Sequence, residues 1–180
     1  KQRLMIDFFN GGFTTAWTGD AQFFFDSDHP YDTRKGGTQT NLVTGTVSVS
    51  MANTAINNII DQRDSLGRPL NLQPAEVLCY PSAVNLWKQV LNTAAEYGTA
   101  DRNASPFKDY GNIKVTPCPW IDSTTKWFMR ANDYDTYFSD PVGIQTKTSE
   151  TDSHALRLEA WMALAFWAEK WQGWIGGLGT

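Results

Sequence analysis

Asp26-Ser27-Asp28-His29 sets two carboxylates at i and i+2 beside an imidazole, enough to begin a metal site. An oxygen site for calcium needs six or more ligands, and magnesium needs a near-octahedral set with waters. No further acidic cluster lies nearby in the chain. The alternative is architectural: an Asp side chain caps a turn, and His29-Pro30 forces an extended exit from it. The pattern favours the turn, and no metal ligand is assigned to Asp26, Asp28 or His29. The aromatics before it, Phe23-Phe24-Phe25, are expected to pack inward while Asp26, Asp28 and Pro30 set the turns.

Nucleophilic chemistry finds little to work with. A hydrolytic triad needs a base held between nucleophile and orienting acid, and only His29 and His154 could serve. Cys79 and Cys118 sit in no recognisable nucleophile setting, and no G-x-S-x-G occurs. Their wide separation, without C-x-x-C spacing, reads as two small buried hydrophobes with free thiols rather than zinc ligands or a disulfide. There is no GxxxxGK[ST]. Gly173, Gly176, Gly177 and Gly179 follow an apolar segment with no helix after them, which predicts a flexible end. The catalytic, cofactor and metal sets are therefore all read as none. Of eight tryptophans, Trp161, Trp167, Trp171 and Trp174 crowd the last third. Stacking platforms use such rings, but their Ala, Leu and Met neighbours favour packing in a core and between subunits.

The elements that must position these residues come from a chain of 180 residues and 20.2 kDa, enough for one domain or two small lobes. With 41% apolar and 19% charged residues it folds rather than staying disordered. A net charge of -4 without any dense Lys/Arg run argues against tight, specific nucleic-acid binding. No apolar run approaches the ~18 residues of a membrane span and no secretory leader is present, so the chain reads as soluble and intracellular. Lys1 stands inside a helical pattern, from which the true N-terminus is expected upstream.

Leu4, Met5, Phe8 and Phe9 share a helical face that Asn10-Gly11-Gly12 should end in left-handed geometry. From Phe13 to Gly45 the chain reads as a long ordered excursion with short strands. Met51, Ala52, Ala55, Ile56, Ile59 and Ile60 predict an amphipathic helix capped by Ser48 or Ser50 and ended before Leu66-Gly67-Arg68-Pro69. Glu76–Tyr80 reads as a strand, and Pro81 opens a second helix whose stripe runs from Ala83 to Ala94, with Gly98 ending it. Strands follow at Asn112–Thr116, Lys126–Arg130 and Val142–Thr148. Ser153–Trp171 fits both periods, and propensity alone favours helix there. The order of elements is α+β.

Several of these residues carry a resemblance. Leu4-Met5-Ile6-Asp7-Phe8-Phe9-Asn10-Gly11-Gly12-Phe13, Asp20-Ala21-Gln22-Phe23-Phe24 and Ser27-Asp28-His29-Pro30 occur in order, followed by Gly37-Thr38-Gln39-Thr40-Asn41. Beyond them come Asp64-Ser65-Leu66-Gly67-Arg68-Pro69-Leu70, Gln73-Pro74, Glu76-Val77-Leu78-Cys79-Tyr80-Pro81 and Lys126-Trp127-Phe128-Met129. In this order the sequence resembles major capsid proteins of tailed bacteriophages with the Hong Kong 97-type fold, and within them the Mu-like major head subunits. Each motif is short; their order over almost the whole chain carries the likeness. Ala21-Gln22 departs from it, since a glycine is usual at that turn.

The resemblance implies a peripheral and an axial domain. Residues 1–46 would hold the end of the spine helix and the following excursion in the peripheral domain, 47–140 the axial helices and strands, and 141–180 the return strands of the peripheral domain. It reverses the helical preference of Ser153–Trp171 in favour of a long strand near the C-terminus. It implies a non-enzymatic structural subunit that self-assembles into hexamers and pentamers of an icosahedral head around double-stranded DNA, bound without sequence specificity. Scaffold, decoration and portal proteins would be further partners, and the location would be the virion capsid, assembled in the host cytoplasm without a membrane. Family members that seal the shell join a lysine to an asparagine; Glu150–Thr180 holds no asparagine, so no such residue is carried over. The alternatives are an encapsulin-like compartment shell and, from another class, an aromatic-rich carbohydrate-binding module or hydrolase.

Overall fold

Helix formation follows the apolar stripes. Helix α1 spans Gln2–Gly11, α2 Val49–Ile60 and α3 Val84–Asn92. Ser48 is the N-cap of α2: its Oγ accepts the Met51 N–H at 3.2 Å, relieving one of the four amides that a helix start leaves unpaired. Met51, Ala52, Ala55, Ile56 and Ile59 are the buried face. A short 3-10 turn over Pro81–Ala83 leads into α3, which buries Trp87, Val90 and Leu91. These relations come from a computed structural model describing residues 2–15, 20–31, 36–92, 107, 110, 113–132, 137–150, 156–167 and 170–179. Ala94, Gly98, Asn112 and His154 lie outside the described residues.

The chain divides into two compact units, one of Gln2–Tyr134 with Lys170–Thr180 and one of Asp135–Glu169. In the first, His29–Pro30 (β1) pairs antiparallel with Thr38–Gln39 (β2). Its main sheet is built from Leu42–Thr44 (β3), Pro74–Cys79 (β4), Lys114–Pro117 (β5), Lys126–Ala131 (β6) and Trp174–Leu178 (β9). The order is β3-β9-β6-β4-β5. The β3–β9 and β4–β5 pairs are parallel, and β4–β6 and β6–β9 antiparallel. The described chain is mixed α+β, as its order of elements predicts.

Alternation along each strand gives the sheet two apolar faces. On one, Val43, Val77, Cys79, Trp127, Met129 and Ile175 join the buried stripes of α2 and α3 in a single core. On the other, Phe128 and Trp174 meet an aromatic cluster brought by α1 and by the Phe23-Phe24-Phe25 stretch. There Phe9 lies 4.4 Å from Trp174 and 5.3 Å from Phe128 between ring centroids, and Phe25 stacks on Phe128 at 5.4 Å. Phe24 and Phe25 are buried as expected, whereas Phe23 is exposed.

The glycines correct two expectations. Gly176 and Gly177 are not a flexible end: both are buried in β9. A Cβ on Gly176 would come 2.4 Å from Phe25, and one on Gly177 would come 1.8 Å from Trp127, so the missing side chains let a ring close onto the strand from each face. Gly11 and Gly12 do not end α1 in left-handed geometry, for neither has a positive φ. Gly12 is small because a Cβ would sit 3.1 Å from Phe25 and 3.2 Å from the Phe9 carbonyl.

At the β3 edge the ladder uses the Asn41 carbonyl, which accepts from Gly176 N–H, and the Gly45 N–H, which donates to Leu178. The Leu42 amide and carbonyl therefore point away from β9. The Thr40 hydroxyl covers both, accepting the Leu42 N–H at 3.1 Å and lying 3.0 Å from the Leu42 carbonyl.

The second unit holds Tyr137–Glu150 (β7) and Leu156–Trp167 (β8), paired antiparallel as a two-stranded ribbon. The expected extended state of Ser153–Trp171 is found over Leu156–Trp167, whereas Lys170 and Trp171 are not in a strand; residues 153–155 and 168–169 lie outside the described set. Pairing to β7 along the whole of β8 overrides its helical propensity. In β7 the register shifts twice, between Ser139 and Val142 and between Val142 and Gln145, while β8 stays regular.

Gly177→Ala should cost about 3 kcal/mol or more, since overpacking a core at a rigid ring is not relieved by a flexible side chain. Gly11→Ala, where no atom lies within 4 Å of the added methyl, should be near neutral. Urea unfolding of both variants beside the parent checks the contrast.

Candidate functional site

The Asp26-Ser27-Asp28-His29 stretch is held by a residue that sequence reasoning did not single out. Asn41 is fully buried. Its Oδ1 accepts the Asp26 N–H at 2.8 Å and its Nδ2 donates to the Phe24 carbonyl at 2.7 Å. Its own backbone N–H donates to the Asp26 carbonyl at 3.0 Å, and its carbonyl accepts from Gly176 at 2.9 Å. One side chain thus fastens the aromatic excursion to the sheet. The only advance signal was an Asn next to an apolar strand, where an amide that satisfies backbone from both ends is a recurrent device.

Asp26 performs the predicted turn function: its carboxylate accepts the Ser27 N–H at 2.6 Å and the Phe23 N–H at 3.2 Å. Burial works against its charge, but those two amides, a hydrogen bond with Asp28 and the nearby His29 outweigh it and hold its pKa below the ordinary value. Asp28 moves the other way, raised first by its hydrogen bond to Asp26 and then by burial and the Asp26 charge. His29 turns to a different partner. Its Nδ1 lies 2.8 Å from Oδ2 of Asp20, and its ring stacks on Trp171 at 3.8 Å and 14°. The imidazole is fully buried, and its Nε2 has no hydrogen-bond partner among the described residues. Asp26 and Asp28 are thus brought together, while His29 serves as a spacer between Asp20 and Trp171. No group of three or more His, Cys, Asp or Glu side chains gathers in metal-binding geometry among the described residues.

Beside Asp20, Ala21 holds a left-handed φ of 64°, a conformation that glycine adopts without cost.

Cys79 and Cys118 are buried free thiols joined through backbone, Cys118 N–H donating to the Cys79 carbonyl at 2.8 Å. Burial first, and then Cys118, push the Cys79 thiol up to about 12, and burial also raises Cys118. On β4, between β5 and β6, Glu76 lies 3.2 Å from Lys114 and 3.3 Å from Arg130. Burial raises its pKa, but the Thr116 hydroxyl, Lys114 and Arg130 outweigh it, so the carboxyl titrates below its ordinary range.

Apolar surface is concentrated on the ribbon. Ile144 is 71% exposed, Leu158 70%, Trp161 51% and Met162 47%. In regular β8, Leu158, Ala160 and Met162 share one face and Arg157, Glu159 and Trp161 the other. Arg157 and Glu159 form a 2.7 Å ion pair on that second face, and Lys147 lies in register with Glu159. Of the tryptophans expected to pack, Trp171 and Trp174 are buried, Trp161 is not, and the Trp167 side chain lies outside the described set.

No protein-family model matches this chain, and no curated protein is significantly similar to it in sequence. No helix among the described residues is long and apolar enough to cross a membrane.

Two measurements test the site. Asn41→Asp keeps an acceptor for the Asp26 amide but sets a carboxylate against the Phe24 carbonyl. It should destabilise by about 3 kcal/mol, because a buried polar group loses its partner and a charge is buried in its place; equilibrium unfolding reads this. The thiols should give no reaction with a disulfide reagent at pH 8 in the folded protein and two equivalents in urea, since only thiolate reacts and burial suppresses it.

Proposed function

We propose that this chain is the structural subunit of a protein shell, of the Hong Kong 97 type, that closes around double-stranded DNA. The observation that carries the reading is the β7–β8 ribbon. A two-stranded ribbon is at best marginally stable alone, and this one exposes Ile144, Leu158, Trp161 and Met162. Such a surface belongs to a protein that completes itself by association. The ordered motifs from Leu4 to Met129, and a long strand near the C-terminus where propensity favours helix, support the same reading.

The five-stranded sheet joins β3 and β9 to β4, β5 and β6, so the first unit crosses the boundaries after 46 and 140 that the resemblance implies. Copies meet through heterologous contacts that close into hexamers and pentamers. The modest net charge of -4 suits a container, because a strongly basic lining would hold DNA nonspecifically and hinder packing. The Asp20–His29–Trp171 stack and the Asn41 clamp then serve to keep the excursion rigid, and no residue is given a catalytic role.

The test images the protein by negative-stain electron microscopy, and regular closed shells are expected. Nucleic acid inside the particles separates a viral head from a cargo compartment. A protein that sediments as a monomer at micromolar concentration overturns the proposal.

A further inference from the structure

We propose that the outer edge of β8 pairs with the same edge of a second copy of this chain, antiparallel about a two-fold axis at Leu158, giving a four-stranded sheet β7-β8-β8-β7. The inference rests on the reading that copies of the chain associate, and it names the strand, the register and the partner.

The two edges of the ribbon differ. Strand β7 carries Pro141, which has no N–H to donate, Gly143 and two register shifts, all devices that spoil an edge for pairing. The extra residues at both register shifts lie on β7, and strand β8 has neither proline nor glycine from Leu156 to Trp167. Among the described residues nothing pairs with its outer edge. Of its 12 residues, positions 156–160 are the stretch that a two-fold at Leu158 pairs with itself, and a regular edge left open is the arrangement that natural sheets otherwise avoid.

Charge sets the partner and the register. With the axis at Leu158, Arg157 of each copy stands directly opposite Glu159 of the other, two complementary cross-strand pairs on one face. Leu158 meets Leu158 on the opposite face, where Ala160 faces position 156. Moving the axis to Glu159 would set that glutamate against itself. Moving it to Ala160 would set Glu159 against Trp161. Directly opposite unlike charges stabilise antiparallel pairs and like charges destabilise them. The two-fold operation makes the contact isologous, so it closes after two copies. Four strands also exceed the minimum that gives a ribbon independent stability.

The experiment uses charge reversal in the full chain. Arg157→Glu alone sets two glutamates opposite two glutamates, and Glu159→Arg alone sets arginine opposite arginine. Each should weaken self-association by roughly tenfold or more in sedimentation equilibrium. Mixing the two variants should restore it. The acid introduced by R157E in one copy then meets the base introduced by E159R in the other, and the unchanged Glu159 of the first meets the unchanged Arg157 of the second. That recovery also shows that both variants are folded. The double variant R157E/E159R should associate like the parent. Leu158→Cys should form a disulfide-linked dimer under copper-phenanthroline oxidation, and Met162→Cys should not, because only position 158 faces itself. Failure of the mixture to recover, or equal cross-linking at 158 and 162, overturns the pairing. Closed shells that give no cross-link at 158 overturn this inference and leave the shell reading standing. A cross-linked dimer that never grows further keeps the pairing and removes the shell.

Discussion

Two consecutive residues without side chains let aromatic rings close onto both faces of the first unit's main sheet. At Gly176 and Gly177, strand β9 receives Phe25 from one face and the Trp127 ring from the other, and both approaches are closer than any Cβ would allow. Strand β9 lies between β3 and β6, so both cores rest on it from opposite faces of the sheet. The α2–α3 core reaches it through Trp127, which meets Trp87 edge-on at 5.0 Å. The α1 cluster reaches it through Phe25, Phe9 and Phe128. Rings that rest on bare backbone are fixed by it, since close-packed interiors leave no slack for a ring to shift.

That arrangement needs the Phe23-Phe24-Phe25 stretch to arrive at a fixed height above the sheet, and the Asn41 amide supplies the height. It grips the stretch on both sides of Phe25, at the Phe24 carbonyl and the Asp26 amide, while its own carbonyl holds Gly176. The Asp26 turn and the His29 stack continue the same fastening outward to Asp20 and Trp171. A histidine stacked on an indole and bonded to a carboxylate has the inventory of an active site, yet here its ring is fully buried.

How far this was legible varies with the physics at each place. The α2 stripe and its Ser48 cap follow from period and chemistry that act within a few residues, so they could be read directly. The Asp26 turn was readable for the same reason. Asn41 and Trp171 could not be placed in advance, because their positions are set by strands that meet from distant parts of the chain. The glycines of β9 misled for a related cause: a glycine cluster after an apolar segment reads as loose until the rings that press on it are known. The β8 strand could not be read from its own residues, which fit both periods and favour a helix until β7 lies beside them.

The Thr40 hydroxyl that covers the outward amide and carbonyl of Leu42 also bears on the order in which the chain is made. Strand β3 leaves the ribosome long before β9, the strand that pairs with it and links it to β6. Contacts so distant in sequence form slowly, and strand edges left waiting are where chains misassociate. By occupying the outward amide and carbonyl of Leu42 with a residue two positions away, the chain keeps the start of that edge covered during the interval, while the side that β9 will eventually take stays free.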